Sequence, residues 1–296
     1  MNNLFITGAT GFVGKNLVQY LADFKITTYV RGVEVNLSGI DVVIHLAGKA
    51  HDLSKVSKPE EYYTVNFELT KNIYDGFLQS EAKIFIFISS VKAAADSVKD
   101  ILSEETLADP RTHYGKSKRM AEEYLIANIT NDKKVFILRP CMIHGPGNKG
   151  NLNLLYLLVS KGIPWPLASF ENERSLLSVE NLCFVINEII KNDQIPSGIY
   201  NIADDEAIST NTIIEIISDE LCLKQKLWRI NKIAIKFIAR IGDWLYLPLN
   251  SERLNKLTDN YLVSNYKIKQ ALNIRKLPVD TRTGLRSTIK SFTKNA

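Results

Sequence analysis

The feature that most constrains this chain is its opening, MNNLFITGATGFVGKNLVQYLADF. Leu4, Phe5 and Ile6 form a short apolar run of the kind shown by a strand buried on both faces. Gly8, Gly11 and Gly14 follow at three-residue spacing. Val13, Leu17, Val18 and Leu21 then recur at helical period. Strand, glycine-rich turn and helix together are the context in which a dinucleotide-binding fingerprint has meaning. The glycines permit a tight turn, close approach of backbone to a pyrophosphate, and close packing of helix on sheet. The helix start adds free N–H groups and partial positive charge for the phosphates. An isolated GxxGxxG also occurs in ordinary strand-to-helix turns, so the flanking elements decide between the two readings.

Further runs repeat the pattern. IDVVIHLAG (40–48), KIFIFISSVKA (83–93) and KVFILRPCMIHGPG (134–147) are near-continuous apolar strands that end in small or polar residues. Helical periodicity marks 59–79 and 115–128, the first with Tyr62, Val65, Phe67, Leu69 and Ile73. Alternation of strand and helix predicts an α/β fold with a doubly wound parallel sheet, its ligand at the carboxyl ends of the strands. The motif residues fall at those ends. The chain first leaves this pattern at GPGNKGN (145–151), the seam between a dinucleotide-binding domain over 1–145 and a smaller lobe mainly over 146–296.

HYGKSKRMAEEYL, residues 113–125, carries the chemistry. Tyr114 and Lys118 stand at i and i+4, one above the other on a single helix face. A free tyrosine titrates near pH ~10 and is a poor base at neutrality. A cation within ~4–6 Å favours the phenolate. Lowering the phenol to about 7 needs roughly 4 kcal/mol, which a desolvated ammonium can supply. The expectation is therefore a Tyr114 phenol depressed by Lys118 and able to exchange a proton with a carbinol or carbonyl oxygen.

GATGFVG, DVVIHLAG, Asn66 of YYTVNFELT, FISSVKA, YGKSK, ILRPCMIHGPGNKGN and RSLLSVENL stand in the order found in one family. In these residues the chain resembles the extended short-chain dehydrogenases/reductases, the NAD-dependent epimerase/dehydratase group, over residues 1 to about 275. Within that group it is similar to sugar 4-epimerases and 4-keto-sugar reductases of surface-polysaccharide pathways. The resemblance implies a Rossmann sheet to which the chain returns for one strand near 197–203, leaving the C-terminal substrate lobe discontinuous. It implies Tyr114 as general acid/base, Lys118 on the nicotinamide ribose, and Ser90 on the reacting sugar oxygen with Ser89 in support. It places Gly8, Gly11, Phe12, Gly14, Leu46 and Ala47 around the dinucleotide. Asn66 lies on the helix beside the substrate, fixing a water or the backbone near Lys118, or is an ordinary helix-face amide. Asn151, Arg174 and Arg253 resemble positions that hold the substrate diphosphate, a task suited to the arginine fork. For Arg253 a solvated helix charge is the alternative.

Two departures bear on the cofactor. Where many members carry an acidic residue after the second strand, ITTYV (26–30) runs into Arg31-Gly32. An arginine there accommodates a 2′-phosphate and favours NADP over NAD, unless its guanidinium merely stacks on adenine. Residues 32–40 are also too few for the usual helix and full third strand, which puts Asn36 in place of the adenine-contacting acid.

Composition adds limits. Hydrophobic residues make up 45% of 296, and the net charge of +5 is dispersed. No basic run with interleaved aromatics suggests nucleic acid, and a phosphate-rich substrate suits a mildly basic chain. Cys141, Cys183 and Cys222 are widely spaced and read as reduced core thiols of a cytoplasmic protein. His45, His51, His113 and His144 are scattered, show no metal spacing, and make His45 structural. No apolar run reaches the ~20 residues of a membrane span. INKIAIKFIARIGDWLYLPL (230–249) is a basic amphipathic helix, either packed on the second lobe or laid on a membrane surface. The neighbours of Ser90 are Val91, Lys92 and Ala93, which lack the acids of a dehydratase. The expected function is thus NADPH-dependent reduction of a UDP-4-keto-6-deoxy-hexosamine. The alternatives are 4-epimerisation of a UDP-sugar and a non-catalytic dinucleotide-binding regulator. A homodimer is the expected assembly if the chain self-associates.

Overall fold

Alternate residues of the apolar runs belong to two different cores, and this builds the sheet. The computed structural model describes residues 2–49, 58–148, 150–245 and 250–293, leaving out the side chains of Asn151 and Lys256. Six parallel strands lie in the order Lys25–Thr28, Asn3–Thr7, Val42–His45, Ile84–Ile88, Lys134–Pro140 and Gly198–Ile202. Leu4, Ile6, Val42, Ile44, Ile86, Ile88, Phe136 and Leu138 face one core. Phe5, Val43, Phe85, Phe87, Val135 and Ile137 face the other. Residues on opposite pleats point to opposite faces, so a strand covered on both sides is apolar throughout.

Helices Phe12–Tyr20 and Val179–Lys191 cover the first face through Leu17, Leu182, Val185, Ile186 and Ile189. Helices Leu69–Gln79 and His113–Ala127 cover the second through Ile73, Tyr74, Phe77, Ala121 and Leu125. The sheet is doubly wound, as the alternating pattern predicts.

The expected shortfall before Asp41 has a visible result. The chain turns from Thr28 to Val42 with no helix or strand between, so Lys25–Thr28 is the edge of the sheet. The segment read as one helix over 59–79 is three pieces, with a π-helical stretch at Thr64–Glu68 between Pro59–Tyr63 and Leu69–Gln79. Single π turns in otherwise α-helical segments recur at functional sites. Here the turn carries Asn66.

A third cluster, with Leu152, Tyr156, Ile213, Ile217, Leu285 and Ile289, joins helices Asn151–Ser160, Thr210–Glu220 and Thr281–Thr293. Small pairings tie this part of the chain to the strand ends, including Ile101–Leu102 with Leu262–Val263 and Arg174 with Ile208 and Tyr261. Cys141 and Cys183 are buried as expected, whereas Cys222 is exposed in a turn at positive φ. None of the described helices is long and apolar enough to cross a membrane.

Candidate active site

The glycine turn is shaped by close backbone approach. Gly8 has φ +71°, and a Cβ there would lie 2.7 Å from the Ala47 nitrogen. At Gly14 a Cβ would fall 2.2 Å from the Gly8 carbonyl oxygen, so only glycine lets the helix start this near the strand. Gly11 donates its N–H to Gly8 O at 3.0 Å and begins the helix without any side-chain cap. Phe12 opens that helix with its half-buried ring packed on the core beneath. The first-turn N–H groups of an uncapped helix suit an anion such as a pyrophosphate, and the residues fit a dinucleotide.

A chain of hydrogen bonds fixes the two strand ends beside this turn. Thr70 donates its hydroxyl to Asn66 O at 2.8 Å, so His45 Nε2 must donate to Thr70 Oγ1 at 3.0 Å. His45 Nδ1 then accepts from Thr7 Oγ1 at 2.7 Å, and Thr7 accepts from Ala47 N at 3.0 Å. Burial, aided by the Lys118 charge, pushes His45 down to about 3. The neutral ring is a structural link between the glycine turn, Leu46-Ala47 and the π turn, as its sequence context implied.

Tyr114, Lys118 and Ser90 are brought together at the carboxyl end of Ile84–Ile88. Thr112 caps the helix His113–Ala127 by accepting from Gly115 N, which starts the helix just before the tyrosine. Lys118 is 4% exposed, donates from Nζ to Ile88 O at 2.8 Å and lies 4.6 Å from the Phe87 ring centre. Burial lowers it to about 8, with Glu122 opposing. Ser90 caps the turn Val91–Ala93 by accepting from Lys92 N at 3.2 Å, and its hydroxyl also bonds the Tyr114 phenol.

The expected depression of Tyr114 by Lys118 is not what the folded chain shows. Burial dominates and raises the phenol, the Ser90 hydrogen bond pulls it back, and Tyr62, edge-on at 6.4 Å, adds to the rise. The ammonium is committed to a backbone carbonyl, and its own charge is weakened by the same burial.

One other expectation is corrected, at Ser89. Ser89 donates to Glu122 Oε1 at 2.6 Å, and Arg139 grips the same carboxylate with Nε at 2.8 Å and Nη2 at 2.5 Å. Its hydroxyl hydrogen is committed to the interior and is not offered to a sugar. Asn66, fully buried, accepts from Lys49 N at 2.7 Å and donates to Lys49 O at 3.1 Å and Ser117 Oγ at 3.0 Å. It positions the Gly48-Lys49 loop against the Tyr114 helix, with both halves of the amide occupied.

On the adenosine side, Arg31 is exposed in the turn after the edge strand. Asn36 Oδ1 accepts from Ser38 N at 2.9 Å and so holds its own loop. On the opposite side, Arg174 is half-buried, and burial lowers its guanidinium while Asp259 and Tyr261 oppose. Its backbone pairs beside Tyr261, whose hydroxyl donates to Ala95 O at 2.6 Å in the segment that follows Ser90. Arg253 is exposed on helix Ser251–Thr258. Asn151 begins a helix, and its side chain lies outside what is described. Among the described residues no group of side chains could hold a metal ion.

Two glycines escaped sequence reasoning. A Cβ at Gly115 would lie 2.4 Å from the Lys92 carbonyl oxygen, so this residue lets the Tyr114 helix touch the Ser90 turn. A Cβ at Gly48 would lie 3.0 Å from Lys118 Nζ. Both were visible inside YGKSK and HLAG, but their spacing gives no hint of a steric role.

The family model described as "NAD dependent epimerase/dehydratase family" matches residues 33–203. The UDP-glucose 4-epimerase of Vibrio cholerae is 30% identical over 98% of this chain and 95% of its own length. The N-acetyl-alpha-D-glucosaminyl-diphospho-ditrans,octacis-undecaprenol 4-epimerase of Escherichia coli O157:H7 is 27% identical, covering 91% of this chain and 85% of that one. Among solved structures, MoeE5 in complex with UDP-glucuronic acid and NAD superposes with a TM-score of 0.77 at 18% identity over 100% of both chains, a likeness of fold. The fold, the glycine turn, the Ser90–Tyr114–Lys118 cluster and these matches agree, and the chain belongs to the NAD dependent epimerase/dehydratase family of enzymes.

Proposed function

We propose that this enzyme inverts C4 of a nucleotide-activated, UDP-linked sugar, using NAD or NADP held on the glycine turn. The observation that carries the reading is the Tyr114 phenol hydrogen-bonded to Ser90, on a helix whose Lys118 is anchored to the adjoining strand end. Residues 1–145 and the strand near 197–203 would hold the dinucleotide, and 146–296 mainly the sugar nucleotide. A bound nicotinamide supplies the hydride acceptor and donor. Tyr114 would exchange a proton with the C4 oxygen, which requires bound ligands to offset the rise that burial imposes on its phenol, and Ser90 would hold that oxygen in line. Lys118 keeps two donors for ribose hydroxyls, since one is used on Ile88 O. Arg174 and Arg253 stand as the diphosphate ligands, with Asn151 at the helix start below.

The sequence ranks reduction of a 4-keto sugar first, and Arg31 still favours it as the second reading: it is exposed after the edge strand, where no helix or strand precedes Val42, and so is open to the 2′-phosphate of an exchanging NADPH. The two relatives described above, matched over 98% and 91% of this chain, are 4-epimerases, and for that reason epimerisation is placed first. Incubation with UDP-glucose or UDP-N-acetylglucosamine should yield the C4 epimer with no net change in nicotinamide absorbance. Stoichiometric NADPH loss with a UDP-4-keto sugar, and no epimer, would reverse the order. Arg31→Asp should shift affinity toward the cofactor without the 2′-phosphate; unchanged preference removes Arg31 from the argument.

A further inference from the structure

The helix Lys232–Leu245 carries one broad apolar face, and only part of it touches the protein. Ile235, Ala239 and Gly242 are buried against the second lobe. Ile233, Phe237, Ile238, Ile241, Trp244 and Leu245 point away from it, with Phe237 64% and Trp244 80% exposed. At 100° per residue these six span one continuous sector of about 140°, which adjoins the buried sector where Ile238 lies next to Gly242. Along the other side Lys232, Lys236 and Arg240 separate the two sectors, so one border of the exposed apolar face is cationic. The only acid of the helix, Asp243, accepts from Ser251 N at 2.9 Å and Ser251 Oγ at 2.5 Å. Trp228, in the segment leading into the helix, is 56% exposed.

From this geometry we infer that the helix seats the enzyme on an anionic lipid bilayer, lying flat with its outer apolar face among the acyl chains. At 14 residues it is about 21 Å long, too short to span. A large apolar sector, a lysine- and arginine-bearing border and tryptophans at the rim are the features of an interfacial helix. Charge selects the occupant. Acidic headgroups complement these cations, whereas the same face of a second copy brings no acid to them, Asp243 being held by Ser251.

The test is flotation of the full chain with large unilamellar vesicles of phosphatidylglycerol and phosphatidylcholine, against phosphatidylcholine alone. The chain should float with the anionic vesicles, less so as salt rises, and weakly or not at all with the neutral ones. Phe237→Glu with Trp244→Glu should cut vesicle partition by roughly tenfold or more. Both are exposed and outside the proposed catalytic cluster, so circular dichroism and turnover in solution should stay unchanged. Lys236→Glu with Arg240→Glu should remove the preference for anionic vesicles. Failure to float at low salt overturns the proposal, as does flotation indifferent to the first pair of substitutions. A concentration-dependent dimer that those substitutions dissolve, without vesicle binding, gives the face to a second copy.

Discussion

At the scale of single residues, the cluster divides into a group that reacts and groups that place it. Tyr114→Phe removes only the phenol oxygen, so turnover should fall by about 10²–10⁴-fold while the cofactor dissociation constant changes little. Near-wild-type turnover in this variant would end the assignment of Tyr114. Lys118 offers a pH signature. It titrates at about 8 in the folded chain against 10.5 as a free side chain, so between those values the unfolded chain holds a proton that the folded one lacks. Stability from this group therefore rises with pH across that window, by about 1.4 kcal/mol per unit, and its burial cost is fully present below pH 8. Denaturant titrations at several pH values should show this slope in the wild type and its loss in Lys118→Met. An unaltered slope would mean that the ammonium is not desolvated.

Between elements, the decisive contact is the one Gly115 permits. Alanine there must displace the Lys92 carbonyl or the helix itself, because the new Cβ would sit 2.4 Å from that oxygen. Gly115→Ala should lengthen the Ser90–Tyr114 hydrogen bond and lower kcat by roughly tenfold or more, with cofactor affinity nearly kept, since geometry of the reacting pair is what moves. Equal losses in both would place the effect at the cofactor instead. Strands and helices were legible in the sequence because apolar period reports burial, and Leu4, Phe5 and Ile6 announced a strand covered on both sides. Tyr114, Ser90 and Lys118 were legible as residue types at strand ends. The direction of the tyrosine shift was not, because i and i+4 spacing places two side chains on one face without saying which partner each will choose. Lys118 chose the Ile88 carbonyl, and Ser89 chose a buried carboxylate that no local pattern links to it. The amphipathic pattern of 230–249 was equally plain, but it could not tell a packed face from an outward one.

For the whole molecule, ligand binding should read out as global stability. UDP alone at 100 times its dissociation constant contributes about 2.7 kcal/mol by mass action, enough to raise the melting temperature by several degrees, with UMP weaker. No shift at saturating UDP would remove the diphosphate role from Arg174 and Arg253. The sheet also has an asymmetric boundary. Lys25–Thr28 forms its outer edge, and a short stretch of turns carries the chain from there to Val42. The strand's length of 4 residues and the lysine at its start discourage edge-to-edge association. The end of that stretch belongs to the core, with Leu37 and Ile40 buried beside Ile73, Tyr74 and Phe77, whereas residues 30–34 are exposed throughout. Splicing a longer strand–helix unit into 30–34 would extend the sheet outward without reordering the strands that carry Ser90, Tyr114 and Lys118, and so would let cofactor choice be rebuilt independently of the chemistry.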